Sequence, residues 1–295
     1  MDIEAWLLNE ETSPLDRSKV TIAGLRPNRL VRDTIADLVS SGKLDAAVCS
    51  AWREKGKAVA EQTILGKARA LFKAGNVLAA AKLGLPEAQG ELARAFHFGI
   101  GKKKNLAKGI EWATKAARGG DGDSQFLLGE AFAQGEGVDM DNAEAAKYFE
   151  LAALSSHHLA SAAAGNLGAI YAGGGGGVRR DAKKAASWFR TGAEGGDVGS
   201  MRNLADCLYH GLGIRKDLVE ARRWYTEVCE EGDEDGSAVG SGCLSKLGLM
   251  MLRGEGGIKV PGAGIGLLSK AAEDGCEAAS AVLALINNAL AGVCL

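Results

Sequence analysis

The chain has 295 residues, 46% of them hydrophobic and 24% charged, with a formal net charge of −2. That composition can bury a large core but is long for one ordinary compact domain unless the chain is repetitive, and the near-neutral charge argues against non-specific nucleic-acid binding. No apolar run approaches the roughly 20 residues that span a bilayer. The N-terminus, Met1-Asp2-Ile3-Glu4, is acidic and lacks a basic leader region, so the expected location is the cytoplasm or nucleus and not the secretory route.

The first predicted elements are a short helix at Ile3-Glu4-Ala5-Trp6-Leu7, a turn at Thr12-Ser13-Pro14-Leu15-Asp16-Arg17, and a helix begun after Leu25-Arg26-Pro27-Asn28 that carries Leu30, Ile35 and Leu38. These three phrases, in this order, resemble the C-terminal half of a U-box, the metal-free RING-like domain of ubiquitin ligases. The resemblance assigns residues 1–43 to a partial U-box. It places Pro14 in a loop that contacts the ubiquitin-conjugating enzyme (E2). It places Arg17 where some U-boxes hold a cation that bonds both that enzyme and ubiquitin. The family's first half, with its C-P-I loop and D-P-V strand, is not in the sequence. A segment of about 45 residues is too small to bury a core alone. It is therefore expected to be a fragment of a longer product, a misplaced start, or a segment docked on the helices that follow. Residues 44–75 read as a helical linker, with Trp52, Val59, Ile64 and Leu71 at apolar spacing.

From residue 76 one phrase recurs. It opens with a leucine and a small residue, continues to an aromatic four positions after the leucine and a Gly-x-Gly, then passes through an Asp or Asn to an Ala and Trp/Tyr stripe that ends in glycine. The anchor leucines are Leu92, Leu128, Leu167, Leu204, Leu247 and Leu283, at steps of 36, 39, 37, 43 and 36 residues. Leucine and aromatic share one helix face. Gly-x-Gly supplies the positive φ of a turn. Asp141 and Asp217 are predicted N-caps, with Glu144 and Glu220 completing capping boxes. Each repeat is a helical hairpin that cannot bury its own apolar face, so hairpins must stack. The phrase resembles the Sel1-like repeat, a relative of the tetratricopeptide repeat. The expected fold is all-α: a solenoid of five repeats plus a capping helix over 76–292, opened by a half-repeat that ends near Gly84. In the fifth copy Val260-Pro261 replaces the cap and Leu267 replaces the Trp, which leaves its second helix the weakest of the set.

The resemblance implies a protein-interaction scaffold whose first helices line a concave face. In the register of the tetratricopeptide relatives that face carries Arg94, His97, Glu130, Gln134, Asp206, His210 and Arg253, with Phe98, Phe126 and Leu252 as apolar anchors. A mixed groove of this kind suits an extended peptide or a helix. With the U-box phrases, the expected function is the client-binding arm of a ubiquitin ligase. The alternative is a non-catalytic scaffold with an inert remnant. The expected partners are client proteins and a ubiquitin-conjugating enzyme, with no nucleic acid, no membrane insertion and no cofactor.

Other features read as structural. Lys102-Lys103-Lys104 and Arg179-Arg180 are solvated turns. Gly173 to Gly177 lacks the Lys-Ser/Thr of a phosphate loop and reads as an elongated, flexible turn. His157-His158 falls in an inter-repeat loop with no Asp, Glu or Cys at i+3 or i+4, and reads as surface. Four histidines assemble no nucleophilic triad. Cys229 and Cys243 occupy positions that some secreted Sel1-like proteins bridge by a disulfide, and here are expected as thiols.

Overall fold

The computed structural model describes residues 62–231 and 239–293. The U-box phrases, with Pro14 and Arg17, lie outside these residues, as do Trp52 and Val59. The chain divides into two units, Met1–Leu92 and Ala93–Leu295. Among the described residues all regular elements are helices, apart from one isolated bridge between Gly175 and Val178. None is long and apolar enough to cross a membrane.

Residues 62–73 are helical. They are followed by α1 (Val77–Lys82), capped by Asn76, and α2 (Pro86–Phe98), within which the two units meet. In the first unit Ala80, Ala81, Leu85 and Ala88 are buried. Gln89 is buried as well and satisfies its amide by donating to the Ala81 carbonyl at 3.0 Å.

The second unit continues with α3 (Leu106–Arg118), α4 (Gly122–Gln134), α5 (Asn142–Ala153), α6 (Ala160–Gly173), α7 (Ala182–Glu194), α8 (Val198–His210), α9 (Leu218–Glu231), α10 (Val239–Arg253), α11 (Pro261–Glu273) and α12 (Glu277–Val293). Consecutive helices pack in pairs, and the first helices of adjacent repeats also touch, α4 with α6 and α6 with α8. Leu128, Leu167, Leu204 and Leu247 are all at most 2% exposed, each burial contributing about 1.5–3 kcal/mol. The small residue after the leucine admits an aromatic ring. A Cβ on Gly129 would lie 2.6 Å from the Phe149 ring, and one on Gly168 would lie 2.7 Å from Phe189. The deepest aromatics of the second helices are therefore Phe149, Phe189 and Tyr225, one residue beyond the predicted stripe. Within that stripe Trp224 is buried, and Tyr148 and Trp188 are partly buried against the cores.

One backbone bond closes every hairpin. The N–H of Asn105, Asp141, Asp181, Asp217 and Val260 donates to the carbonyl of Phe96, Phe132, Tyr171, Leu208 and Met251, respectively, at 2.7–3.0 Å. This corrects the capping-box expectation. Asp141 and Asp217 do accept amides of the next turn, but the N-cap N–H is already engaged. Glu144 therefore pairs with Lys147, and Glu220 with Arg190. The fifth second helix, α11, forms with no side-chain cap. It begins on Pro261, whose fixed φ suits the first helical position.

The glycine run forms a defined, hydrogen-bonded turn. Gly175 and Val178 exchange two backbone bonds at 2.9 and 3.0 Å, and the turn lies against Asn142 at the start of α5. Cys207 and Cys243 are buried as free thiols, burial pushing both upward in pKa.

Candidate functional site

The first helices present a column of residues toward one side. Relative to each anchor leucine, positions −1, +2 and +6 fall on one helix face, because steps of three and four residues return to the same side. In α4 and α6 this face, together with the turn after α6, forms a cleft of about 310 Å³. Glu130 and Gln134 come from α4 and Asn166 and Ala169 from α6. Asn142 lies at the start of α5, and Phe149 also lines the cleft. Burial pushes the Glu130 carboxyl above its usual range, and the nearby Glu136 charge adds to this. Among the described residues no cation pairs with Glu130. The cleft thus offers a partly desolvated anion beside three side-chain amides. Those groups can accept a cationic side chain and bond an extended backbone.

A second cluster lies at the start of α4. Asp121 caps that helix, accepting from the Ser124 amide at 3.0 Å and from its hydroxyl at 2.5 Å. Asp123, in the first turn, pairs with Arg94 through Oδ2. Its Oδ1 lies 3.2 Å from His157 Nε2 and 4.0 Å from His158 Nε2.

A third cluster joins the fourth and fifth repeats. Asp206 accepts from the Tyr225 hydroxyl and from the Lys246 ammonium. Burial, and then the Asp206 bond, hold the Tyr225 phenol well above its ordinary pKa. Tyr209 donates to Glu255 at 2.9 Å, and Glu255 lies 3.7 Å from Arg253. The His210 ring stands edge-on to Tyr209 at 4.9 Å.

The residues expected on the groove therefore separate. Glu130 and Gln134 share the cleft. Arg94, Asp206 and Arg253 are engaged in ion pairs between or beside helices. His97 is buried, its Nε2 3.2 Å from Glu136, with Nδ1 unpartnered and Phe98 edge-on against it. Phe98 itself is 58% exposed. Phe126 packs edge-on against Phe149 within the core of the second and third repeats. Leu252 packs in the core of the fifth. Phe126 and Leu252 are both partly buried, each forming a wall against which a second helix packs. Sequence reasoning missed Asn166, Asn142, Asp123 and Lys246. The signal for Asn166 and Lys246 was present: each directly precedes an anchor leucine, three residues before the +2 position that was read.

Comparison with known proteins agrees with this architecture. Residues 86–121, 122–157, 161–197, 198–233 and 241–276 match the Sel1 repeat. Among solved structures the chain is similar to a protective antigen of uropathogenic Escherichia coli strains, described as displaying an SLR fold. The TM-score is 0.61 and the identity 26%, over 80% of this chain and 50% of that one, so the chain spans about half the length of that relative. It is also similar in fold to a Sel1 repeat protein from Oxalobacter formigenes, with a TM-score of 0.56 and 24% identity over 75% of this chain and 86% of that one. The curated proteins give no match. Sel1-repeat proteins are protein-interaction scaffolds, and their solenoids bind protein partners. With five matched repeats covering more than half of its length, the chain belongs to the Sel1 repeat family.

Proposed function

We propose that this scaffold is the client-holding arm of a cytoplasmic U-box ubiquitin ligase, and that the α4/α6 cleft takes an extended client segment bearing a Lys or Arg. The observation that carries the client reading is Glu130, a partly buried carboxylate without a cation partner, set among Gln134, Asn142 and Asn166. A cationic side chain would restore the solvation this carboxylate lacks, and the amides would bond the client backbone as water is displaced. The ligase reading rests on the order of the Ile3–Leu7, Ser13-Pro14 and Leu25–Asn28 phrases ahead of the repeats. In that arrangement residues 1–43 belong to the U-box, 44–75 link it, and 76–292 hold the client. Transfer to client lysine proceeds by positioning the charged conjugating enzyme, with no covalent ubiquitin on this chain.

Two measurements test the two halves separately. A peptide array probed with the purified chain is expected to select segments with a basic residue. Those peptides should lose about tenfold in affinity, about 1.4 kcal/mol, with Glu130→Gln. An array without basic preference, or affinities indifferent to Glu130, would overturn the cleft assignment. A product carrying a complete U-box is expected to accelerate ubiquitin discharge from a conjugating enzyme, with Pro14→Ala and Arg17→Ala abolishing the acceleration. Failure with every conjugating enzyme would leave a non-catalytic scaffold with an inert remnant.

A further inference from the structure

The junctions between repeats are not alike. Those before α4 and α8 read Gly119-Gly120-Asp121 and Gly195-Gly196-Asp197, and each aspartate caps the helix that follows. The junction before α6 reads Ser155-Ser156-His157-His158-Leu159, and no side chain caps α6. Among these three junctions the Asp cap is thus confined to those before α4 and α8, and the one between them carries two adjacent histidines instead.

At this place the chain gathers metal-ligating groups. Asp123, His157 and His158 bring one carboxylate oxygen and two imidazole nitrogens within 4.8 Å of one another, from segments 34 residues apart. The His157 ring is seated by the backbone of α4. Gly122 lies directly beneath it, and a Cβ there would come within 2.7 Å of the ring. His157 is largely sheltered, whereas His158 is 72% exposed and can rotate. Two imidazoles and a carboxylate, with solvent at the fourth position, form the donor set of an open tetrahedral zinc site.

We propose that Asp123, His157 and His158 bind one divalent transition-metal ion of the zinc class. A tetrahedral centre with bonds of about 2.0–2.1 Å needs donors roughly 3.3 Å apart. The Asp123–His157 pair already stands at 3.2 Å, and His158 at 4.0 Å closes the remainder by turning its exposed ring. His157 Nδ1 lies 3.4 Å from the Leu159 amide, a long contact in which the nitrogen accepts. In that tautomer the proton is on Nε2 and points at Asp123. The ion takes Nε2 as the ring passes to its other neutral tautomer: Nε2 releases its proton to solvent, Nδ1 takes one up from solvent, no net proton is released, and the weak Leu159 contact is given up. Arg94 bonds the other carboxylate oxygen, Oδ2, and leaves Oδ1 for the ion. The guanidinium orients the ligand as an outer-shell partner does, at some Coulombic cost to a cation. The ion would tie the inter-repeat loop to the first turn of α4.

The test uses the full chain, treated with chelator and titrated with Zn²⁺ by calorimetry and with Co²⁺ by absorption. The expected result is one ion per chain and a tetrahedral cobalt spectrum without sulfur charge transfer. Binding should weaken at least tenfold in His157→Ala and in His158→Ala, with unchanged circular dichroism in the absence of metal. Binding that persists unchanged in the His157→Ala/His158→Ala double variant, a sulfur-ligated cobalt spectrum, or no stoichiometric binding would overturn the proposal.

Discussion

The second helix of the fourth repeat, α9, begins at Asp217, whose carboxylate accepts the Val219 and Glu220 amides at 3.0 and 2.9 Å. Its counterpart in the fifth, α11, begins at Val260 and Pro261 with no side-chain cap. The fourth adds a two-point ion pair from Arg190 to Glu220, at 2.7 and 3.2 Å. The fifth has Leu267 where the fourth has Trp224. Both hairpins close, because they share what the caps only supplement: the backbone bond from the turn to the first helix, and a glycine pressed against the repeat before. Gly213 lies over Ala182 at the start of α7, and Gly256 over Leu218 at the start of α9. A Cβ at either would fall within 2.0 Å of a carbonyl oxygen. Polar caps in this chain adjust hairpins that backbone and burial have already set.

If that comparison is right, the glycine joint matters most. Gly213→Ala and Gly256→Ala should each cost about 2–4 kcal/mol, combining positive-φ strain with overpacking. Gly120→Ala, at similar φ but in open space, should cost only about 1 kcal/mol. Urea unfolding followed by circular dichroism reads all three, and equal losses would refute the role of the inter-repeat contact.

Next come the caps. Asp217→Ala should cost about 1 kcal/mol, and Val260→Asp should add about 0.5–1 kcal/mol by giving the fifth repeat the cap it lacks. Hydrogen exchange in the first turn of α9 and α11 would locate each change. A Val260→Asp variant no more protected than the parent would mean that Pro261 already fixes the helix start.

The smallest expected effect is that of the ion pair. Glu220→Gln should cost about 0.5–1 kcal/mol, given its partial exposure. Bonding to Arg190 lowers the Glu220 pKa in the folded chain. Its contribution is therefore present above the ordinary glutamate value of about 4.3, and is lost as pH falls through the lower folded value. Parent and variant melting curves should differ at pH 7 and converge in acid. A difference that persists in acid would assign the effect to packing.

Much of this fold was legible in residue order. Leu128, Leu167, Leu204 and Leu247, the Gly-x-Gly turns and the Asp caps lie where the recurring phrase placed them, since each answers to a period or a dihedral that sequence displays directly. The aromatic stripe packs on the cores as expected, with Trp224 buried, but in the second and third repeats the next residue, Phe149 or Phe189, goes deeper. Tyr148 and Phe149 both fit an amphipathic pattern, and only the approach of Gly129 selects Phe149. The site was less legible still. Sequence identifies which residues share a helix face but not which of them are consumed by neighbours. That is how Phe126 and Leu252 became walls, and how Asp206 became the acceptor for Tyr225 and Lys246.

The sequence by itself determined the five helical hairpin repeats and the turns between their helices, because helix period, glycine φ and capping are local properties of the chain. Only the tertiary structure decided which polar groups meet across repeats. Among the described residues it left Glu130 beside amides without a cation, and it brought Asp123 from 34 residues upstream to His157. Contacts of that kind depend on how one repeat is stacked on the next, and stacking is fixed by the sum of many close approaches that no single phrase encodes.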